Sequence, residues 1–385
     1  MIAVFERDEP FRCHEFPVCA RKTYCAHAAD APLPLRVADA MRASVERAST
    51  DARQYDLELA HIRDTRVAVA QLLGADADEV SFTGPTSSGL NVIANGLDWV
   101  SGDEVVCYLD DYPANVYPWL SLERRGVKPI LLEAKRIGEI TPETVERALT
   151  DRTRLVALAS ANYCSGYRID LESIGSLCAE RGILFSVDAI QTLGVFPIHL
   201  KNIDFLSAGA QKWLLGPSGA GILYVQQSRR DLLRPTIVGG WNVQSRNYVA
   251  RREVEYTAGG QKFEPGAYDH VAIAGMGAAV SLLLEVGSHQ ICDRILSLTT
   301  MLWDELESLG VEFLSGKEPH IRSGILAFRH PQIESERLFA ALEENDVVIS
   351  LRYDRVDQGW LRVSPHFYNT REEMLKIADV LRRNV

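Results

Sequence analysis

The chain has 385 residues, 46% of them hydrophobic and 24% charged, with a formal net charge of -11. That much apolar sequence can build a large core, and the length suggests two or three domains. Because the basic residues are dispersed through an acidic chain, a nucleic-acid groove or an anionic membrane surface is excluded as a first reading, and a small-molecule site is favoured.

In chain order, residues 1–11 carry Glu6, Arg7, Asp8, Glu9 and Pro10 where a signal peptide needs its apolar region, so a cytoplasmic location is expected. The seven cysteines form no CxxC pair, which fits reduced thiols better than a disulfide framework. Cys13, His14, Cys19, Cys25 and His27 cluster early, but their spacing matches no common zinc pattern, and no metal is expected. From about residue 78 to 225, the strand-like runs EVSFTG, EVVCYLD, KPILLEA, RLVALAS, ILFSV, IDFLSAG and AGILYV alternate with helical stretches. Such alternation predicts an α/β fold with a mostly parallel seven-stranded sheet. A helix starts at Thr141 with Pro142 in its first turn. The apolar stretch 271–284 is shorter than a membrane span and is read as a buried helix. Beyond it, Ile291, Ile295, Leu298, Leu302, Leu306 and Leu309 keep a helical stripe; GILAFRH, a helix near 334–345, DVVIS, WLRVS and a closing helix from Arg371 follow. The expected division is a large domain over 16–265 and a smaller C-terminal α/β domain over 266–385 joined by residues 1–15.

Ligands of open α/β sheets lie beyond the carboxyl ends of the strands, and the chemistry-bearing residues of this chain follow strands. In FTGPTSSGL, a Gly-Pro turn delivers Thr86, Ser87 and Ser88 to a helix start, where free N–H groups and the helix dipole suit an anion; a hydroxyl-rich cap is the plainer alternative. Tyr112 follows EVVCYL and is either a ring-stacking platform or a rim residue. Asn162 follows RLVALAS and is either a ligand amide or a turn former. FSVDAIQT puts Asp188 at the end of a buried strand, where a charge is costly without a cationic partner, and puts the amide of Gln191 three positions on. Lys212, in SAGAQKWLLGP, lies between a strand end and an apolar turn, which suits a desolvated, imine-forming amine better than a solvated lysine. An acid, a reactive lysine, an anion site, an aromatic plate and two amides together describe a seat for pyridoxal 5′-phosphate.

With VDAIQT and QKWLLGP in order, and RVSPHFYNT near the C-terminus, the sequence resembles the class V aminotransferases among fold-type I pyridoxal-phosphate enzymes, a group that includes cysteine desulfurases and isopenicillin N epimerase. The resemblance implies Lys212 as the Schiff-base lysine and Asp188 as partner of the ring nitrogen. It implies Gln191 and Asn162 on the phenolic oxygen, Tyr112 stacked on the ring, and Thr86 and Ser87 at the phosphate. Arg362 falls where relatives hold the substrate α-carboxylate. The chain departs from the pattern at three places: Gln211 replaces a common histidine and can still donate to phosphate, Gly209 replaces a common serine, and Ala267 replaces a threonine that often reaches across a dimer. Phosphate anchoring therefore differs in detail, with Ser88 and Tyr268 as candidate helpers.

The expected function is a pyridoxal-phosphate-dependent enzyme acting on an amino acid, with transamination as the default and β-elimination, C–S lysis or epimerisation as rivals. No cysteine occurs after Cys292, which argues against persulfide transfer by a C-terminal loop cysteine, and Cys164 reads as a buried structural thiol. His27 reads as packed rather than pocket-lining. Arg352 and Arg355 are either readers of a second acid group on the substrate or solvated cations. A non-catalytic cofactor holder is the alternative from another class, opposed by the substrate clamp at Arg362; a Rossmann enzyme lacks its GxGxxG turn. The resemblance also implies a homodimer, with PTIVGGWNVQS and FEPGAYDH at the boundary.

Overall fold

The seven apolar runs pair into one sheet in the computed structural model, which describes residues 2, 5, 8–51, 55–245, 247 and 249–385. In chain order the strands are β1 (Val80–Phe82), β2 (Glu104–Tyr108), β3 (Lys128–Leu132), β4 (Thr153–Ala159), β5 (Leu184–Asp188), β6 (Phe205–Gly209) and β7 (Gly221–Val225). Their spatial order is β1-β7-β6-β5-β4-β2-β3, and β7 alone runs against its neighbours. The runs are apolar throughout because both faces are covered. Val106, Val156, Val187 and Leu206 enter one core, while Val105, Leu155, Leu184 and Phe205 enter another on the opposite face.

Four further strands, β8 (Glu312–Phe313), β9 (Leu326–Arg329), β10 (Ser350–Tyr353) and β11 (Gly359–Val363), make an antiparallel sheet ordered β10-β11-β9-β8. Its core joins Leu302 of the helix Ser288–Glu307, Leu338 of Ser335–Glu344, Leu361, and Ile377 of Arg371–Arg382. The closing helix starts as its sequence suggests, with Thr370 and Glu373 forming a reciprocal capping box. The N-terminal part of the chain reaches this unit: Thr23–Tyr24 pairs in parallel with Val347–Val348.

The apolar stretch near 271–284 forms the helix His270–Val286, which packs against Leu35–Thr50 and Tyr55–Leu73. Its Val280, Leu283 and Val286, and Ile291 and Ile295 from the next helix, belong to the large-sheet core, so the two cores part company along Ser288–Glu307. Among the described residues no single helix is long and apolar enough to cross a membrane.

Candidate active site

The carboxyl ends of β1, β2, β5 and β6 open onto one cavity of about 210 Å³, and a face of the small sheet closes its other side. Its walls include Thr86, Ser87, Tyr112, Asp188, Gln211, Lys212, Arg352 and Arg362. The sequence places most of these within a few residues of a strand end, and the parallel arrangement turns that common position into spatial convergence.

Asp188 ends β5 and is 2% exposed. Its Oδ1 accepts from the Ile190 N–H at 3.0 Å; among the described residues nothing donates to its other oxygen. Burial pushes its pKa up to about 6, opposed by that hydrogen bond and by the charge of Lys212. Lys212 sits in the turn after β6, where Leu215 adopts a left-handed φ of 58° and Leu215 N–H bonds back to the Lys212 carbonyl at 3.1 Å. A leucine in that region is strained, and its complete burial holds it there. The lysine is 7% exposed, and its Nζ lies 5.3 Å from the Tyr112 ring centroid. Burial first, and then the charge of Arg362, bring it down to about 8, into the range of a usable nucleophile or base.

Arg362, on β11, is 1% exposed. It donates to the Tyr163 carbonyl and, at 3.3 Å, to Ser350 Oγ, while its Nε has no partner. Burial, with the neighbouring charge of Arg352, lowers it to about 9. Among the described residues it has no carboxylate partner, so the fold holds a buried cation that an anionic ligand can satisfy. Gln211 Oε1 is a second buried orphan, on the large-sheet side of the same cavity.

At the anion end, the helix Thr86–Gly96 begins at the cavity. Thr86 Oγ1 accepts from Gly209 N–H at 2.8 Å, and Ser207 Oγ donates to the Thr86 carbonyl at 3.0 Å, pinning the helix start to β6. Gly89 permits this close approach, because a Cβ there collides with Ser207 Oγ. Gly209 has a related reason: a Cβ at that position collides with Gln211 Oε1 and reaches Thr86 Oγ1 at 3.2 Å. The missing serine and the unusual glutamine are thus one arrangement, with the amide occupying the space a side chain at 209 would take.

Four residues singled out from the sequence lie off the lining of this cavity. Asn162 and Gln191 are buried but do not line the cavity. Asn162 Nδ2 donates to the Asp110 carbonyl at 2.9 Å, and its Oδ1 accepts from the N–H groups of Cys164 and Ser165, so it closes a turn. Gln191 Nε2 donates to the Ala28 carbonyl at 3.1 Å and its Oε1 accepts from Trp213 Nε1 at 2.9 Å, so it braces the wall behind the lysine. Tyr268 is also committed elsewhere, its hydroxyl donating to Glu264 at 2.5 Å. Ser88 lines a neighbouring cavity instead. His27 is fully buried between the Ser364 carbonyl and the Tyr368 hydroxyl, and burial lowers it to about 4.

Sequence reasoning missed Ala28, Ala29 and Tyr163 as wall residues. The first two arrive on a loop tied across the fold by Ala31 N–H to the Gln211 carbonyl, a contact with no local signature. Tyr163 had one clue, its position beside Asn162 after a strand end.

A family model described as aminotransferase class-V matches residues 23–377. The chain belongs to the class-V aminotransferase family. Enzymes of this class use pyridoxal 5′-phosphate, and the residues present fit it: a buried acid with an open oxygen, a lowered lysine amine across from an aromatic face, an open helix start, and a buried guanidinium with an unpartnered Nε lining the same cavity. Among curated proteins, the class-V chain is 29% identical to a probable cysteine desulfurase of Methanothermobacter thermautotrophicus, over 98% of each. Its fold matches an apo cysteine desulfurase from Thermococcus onnurineus with TM-score 0.89 at 23% identity, covering 98% of each chain. It also matches a cystine C-S lyase in complex with its product cysteine persulfide, TM-score 0.86 at 23% identity, over 94% of this chain and 99% of that one.

Proposed function

We propose that this class-V enzyme is a pyridoxal-phosphate-dependent lyase that binds an amino acid and releases a substituent from its β-carbon. The observation that carries the reading is the pairing, across one cavity, of a buried guanidinium without an anionic partner at Arg362 and a buried amine lowered to about 8 at Lys212. An α-amino acid satisfies both, its carboxylate on Arg362 and its Cα hydrogen towards Lys212. In this reading Asp188 would hold the ring nitrogen, Thr86, Ser87 and Gln211 would receive the phosphate, Tyr112 would pack on the ring, and Lys212 would attach the cofactor covalently. When bound, the cofactor supplies an electron sink for the charge left at Cα. Lys212, freed by the substrate, takes the Cα proton; Arg362 fixes the carboxylate so that this hydrogen faces the amine.

The names of its relatives favour elimination over transamination, and the cavity lining bears on where the sulfur goes. The relatives and structural neighbours include cysteine desulfurases and a cystine C-S lyase. Among the described residues no cysteine lines the cavity. Cys164 borders the adjoining one, and burial pushes its thiol up to about 11, leaving it protonated and a poor sulfur acceptor. The released sulfur therefore leaves in solution rather than on the chain. The reading includes a homodimer acting on a small amino-acid substrate.

The test is to load the purified protein with cofactor, offer cysteine, cystine and simple amino acids, and assay sulfide or persulfide against keto acid. Sulfur release with loss of the β-substituent supports the lyase; a keto acid that retains its β-substituent identifies transamination. Lys212→Ala is expected to lose the long-wavelength absorbance of covalently bound cofactor and at least about a thousandfold of activity. Retention of that absorbance rejects the assignment of the lysine.

A further inference from the structure

The cavity contains one more cation than an ordinary amino-acid substrate uses. Arg352 and Arg362 lie on adjacent antiparallel strands, with Ser350 opposite Arg362 and Trp360 opposite Arg352. Two-residue spacing on each strand puts both arginines on the same sheet face as diagonal neighbours, about 7–8 Å apart. Both line the cavity that holds Lys212.

Arg352 has no hydrogen bond or ion pair with any described residue, whereas the other arginine of its segment is committed. Arg355 pairs with Asp110, its Nε donating at 2.7 Å. Of the two acids in the turn, Asp354 accepts from the N–H groups of Val356 and Gln358 and from Trp360 Nε1, and neither it nor Asp357 pairs with Arg352. Asp188 and Lys212 both line the cavity and feel each other's charge, and Asp30, outside the lining, also feels the charge of Lys212. Arg352 in turn depresses the pKa of both Arg362 and Lys212, so three like charges crowd a small space. A ligand with a single carboxylate neutralises Arg362 and leaves Arg352 unmatched; a second anion on a short side chain relieves the remaining repulsion.

We propose that Arg352 selects amino acids whose side chain ends in a second anionic group, a carboxylate, sulfinate or sulfonate, one or two carbons beyond Cα. This deepens the proposed function and rests on its placement of the α-carboxylate at Arg362. Arg352 is a specificity determinant: it discriminates between substrates and does not move the Cα proton.

The experiment uses cofactor-loaded protein and measures dissociation constants by calorimetry and by the shift of the cofactor's absorbance, with alanine, aspartate and cysteate as probes. The wild-type protein is expected to bind aspartate and cysteate at least about tenfold more tightly than alanine. Arg352→Gln brings the ratio close to one, Arg352→Lys keeps part of it, and Arg355→Gln leaves it intact. A wild-type ratio near one overturns the proposal even without a foldable variant. So does an unchanged ratio in Arg352→Gln, which would assign Arg352 to the α-carboxylate, or a ratio change accompanied by weakened cofactor binding, which would assign it to the phosphate. If none of the three amino acids binds or shifts the absorbance, the functional reading itself fails, a result separable from loss of discrimination alone.

Discussion

At neutral pH an amine with a pKa of about 8 is uncharged in about one molecule in ten, whereas an ordinary lysine is uncharged in fewer than about one in a thousand. That difference matters because only the neutral amine attacks a carbonyl. Burial of Lys212 is the larger cause and the charge of Arg362 the next, both disfavouring the ammonium form. The sign follows directly: raising pH deprotonates Lys212 and speeds attachment of the cofactor. Cofactor-free protein mixed with saturating pyridoxal phosphate should attach it about tenfold faster per pH unit below 8, levelling above that value. Stopped-flow absorbance checks the break point. A rise continuing past pH 9 would mean that the lysine is solvated. Arg362→Gln should move the break upward, because it removes a charge that opposes protonation.

At the scale of elements, the junction between the helix Thr86–Gly96 and β6 does most to shape the anion end. Gly209 N–H holds Thr86 Oγ1, and the space beside Gly209 belongs to the Gln211 amide. Gly209→Ser therefore pushes against both the helix start and the glutamine, with an expected cost of about 1–3 kcal/mol in stability and about tenfold in cofactor affinity, read by thermal melting and fluorescence titration. Adding Gln211→Ala should recover most of the stability, since it removes the nearer obstacle. These elements were largely legible in the sequence. Buried parallel strands read as unbroken apolar runs, and their ends marked Asp188 and Lys212. Strand direction has no such local signal, so the reversal of β7 came only from its pairing. The amides of Asn162 and Gln191 resemble ligand groups in type and spacing, yet each gives one N–H to a backbone carbonyl distant in sequence, a contact with no local signature. The same blindness to distant partners left Arg352 and Arg355 indistinguishable until Asp110 was found beside one of them.

For the whole molecule, the remaining unbalanced feature is apolar surface near the anion end. Ile237, Val238, Val249 and Val254 are each more than half exposed; the first two lie in the segment PTIVGGWNVQS expected at a subunit boundary, the other two just beyond it. Isolated exposed aliphatics are ordinary, but these lie on one irregular stretch leading to a cavity of about 420 Å³ lined by Phe82, Ser87, Ile237, Phe263 and Pro265. Ser87 borders both that cavity and the candidate active site, so a surface covering the first would also steady the helix start proposed to receive the phosphate. A second copy of the chain is the expected cover, and the wild-type protein should sediment as a dimer at micromolar concentration. Ile237→Asp places a charge where the partner must bury it, which should weaken association by at least about tenfold. Cofactor affinity should fall in parallel as monomer accumulates, and raising protein concentration should restore both together. A wild-type monomer that retains full cofactor affinity would break the proposed link between assembly and the active site.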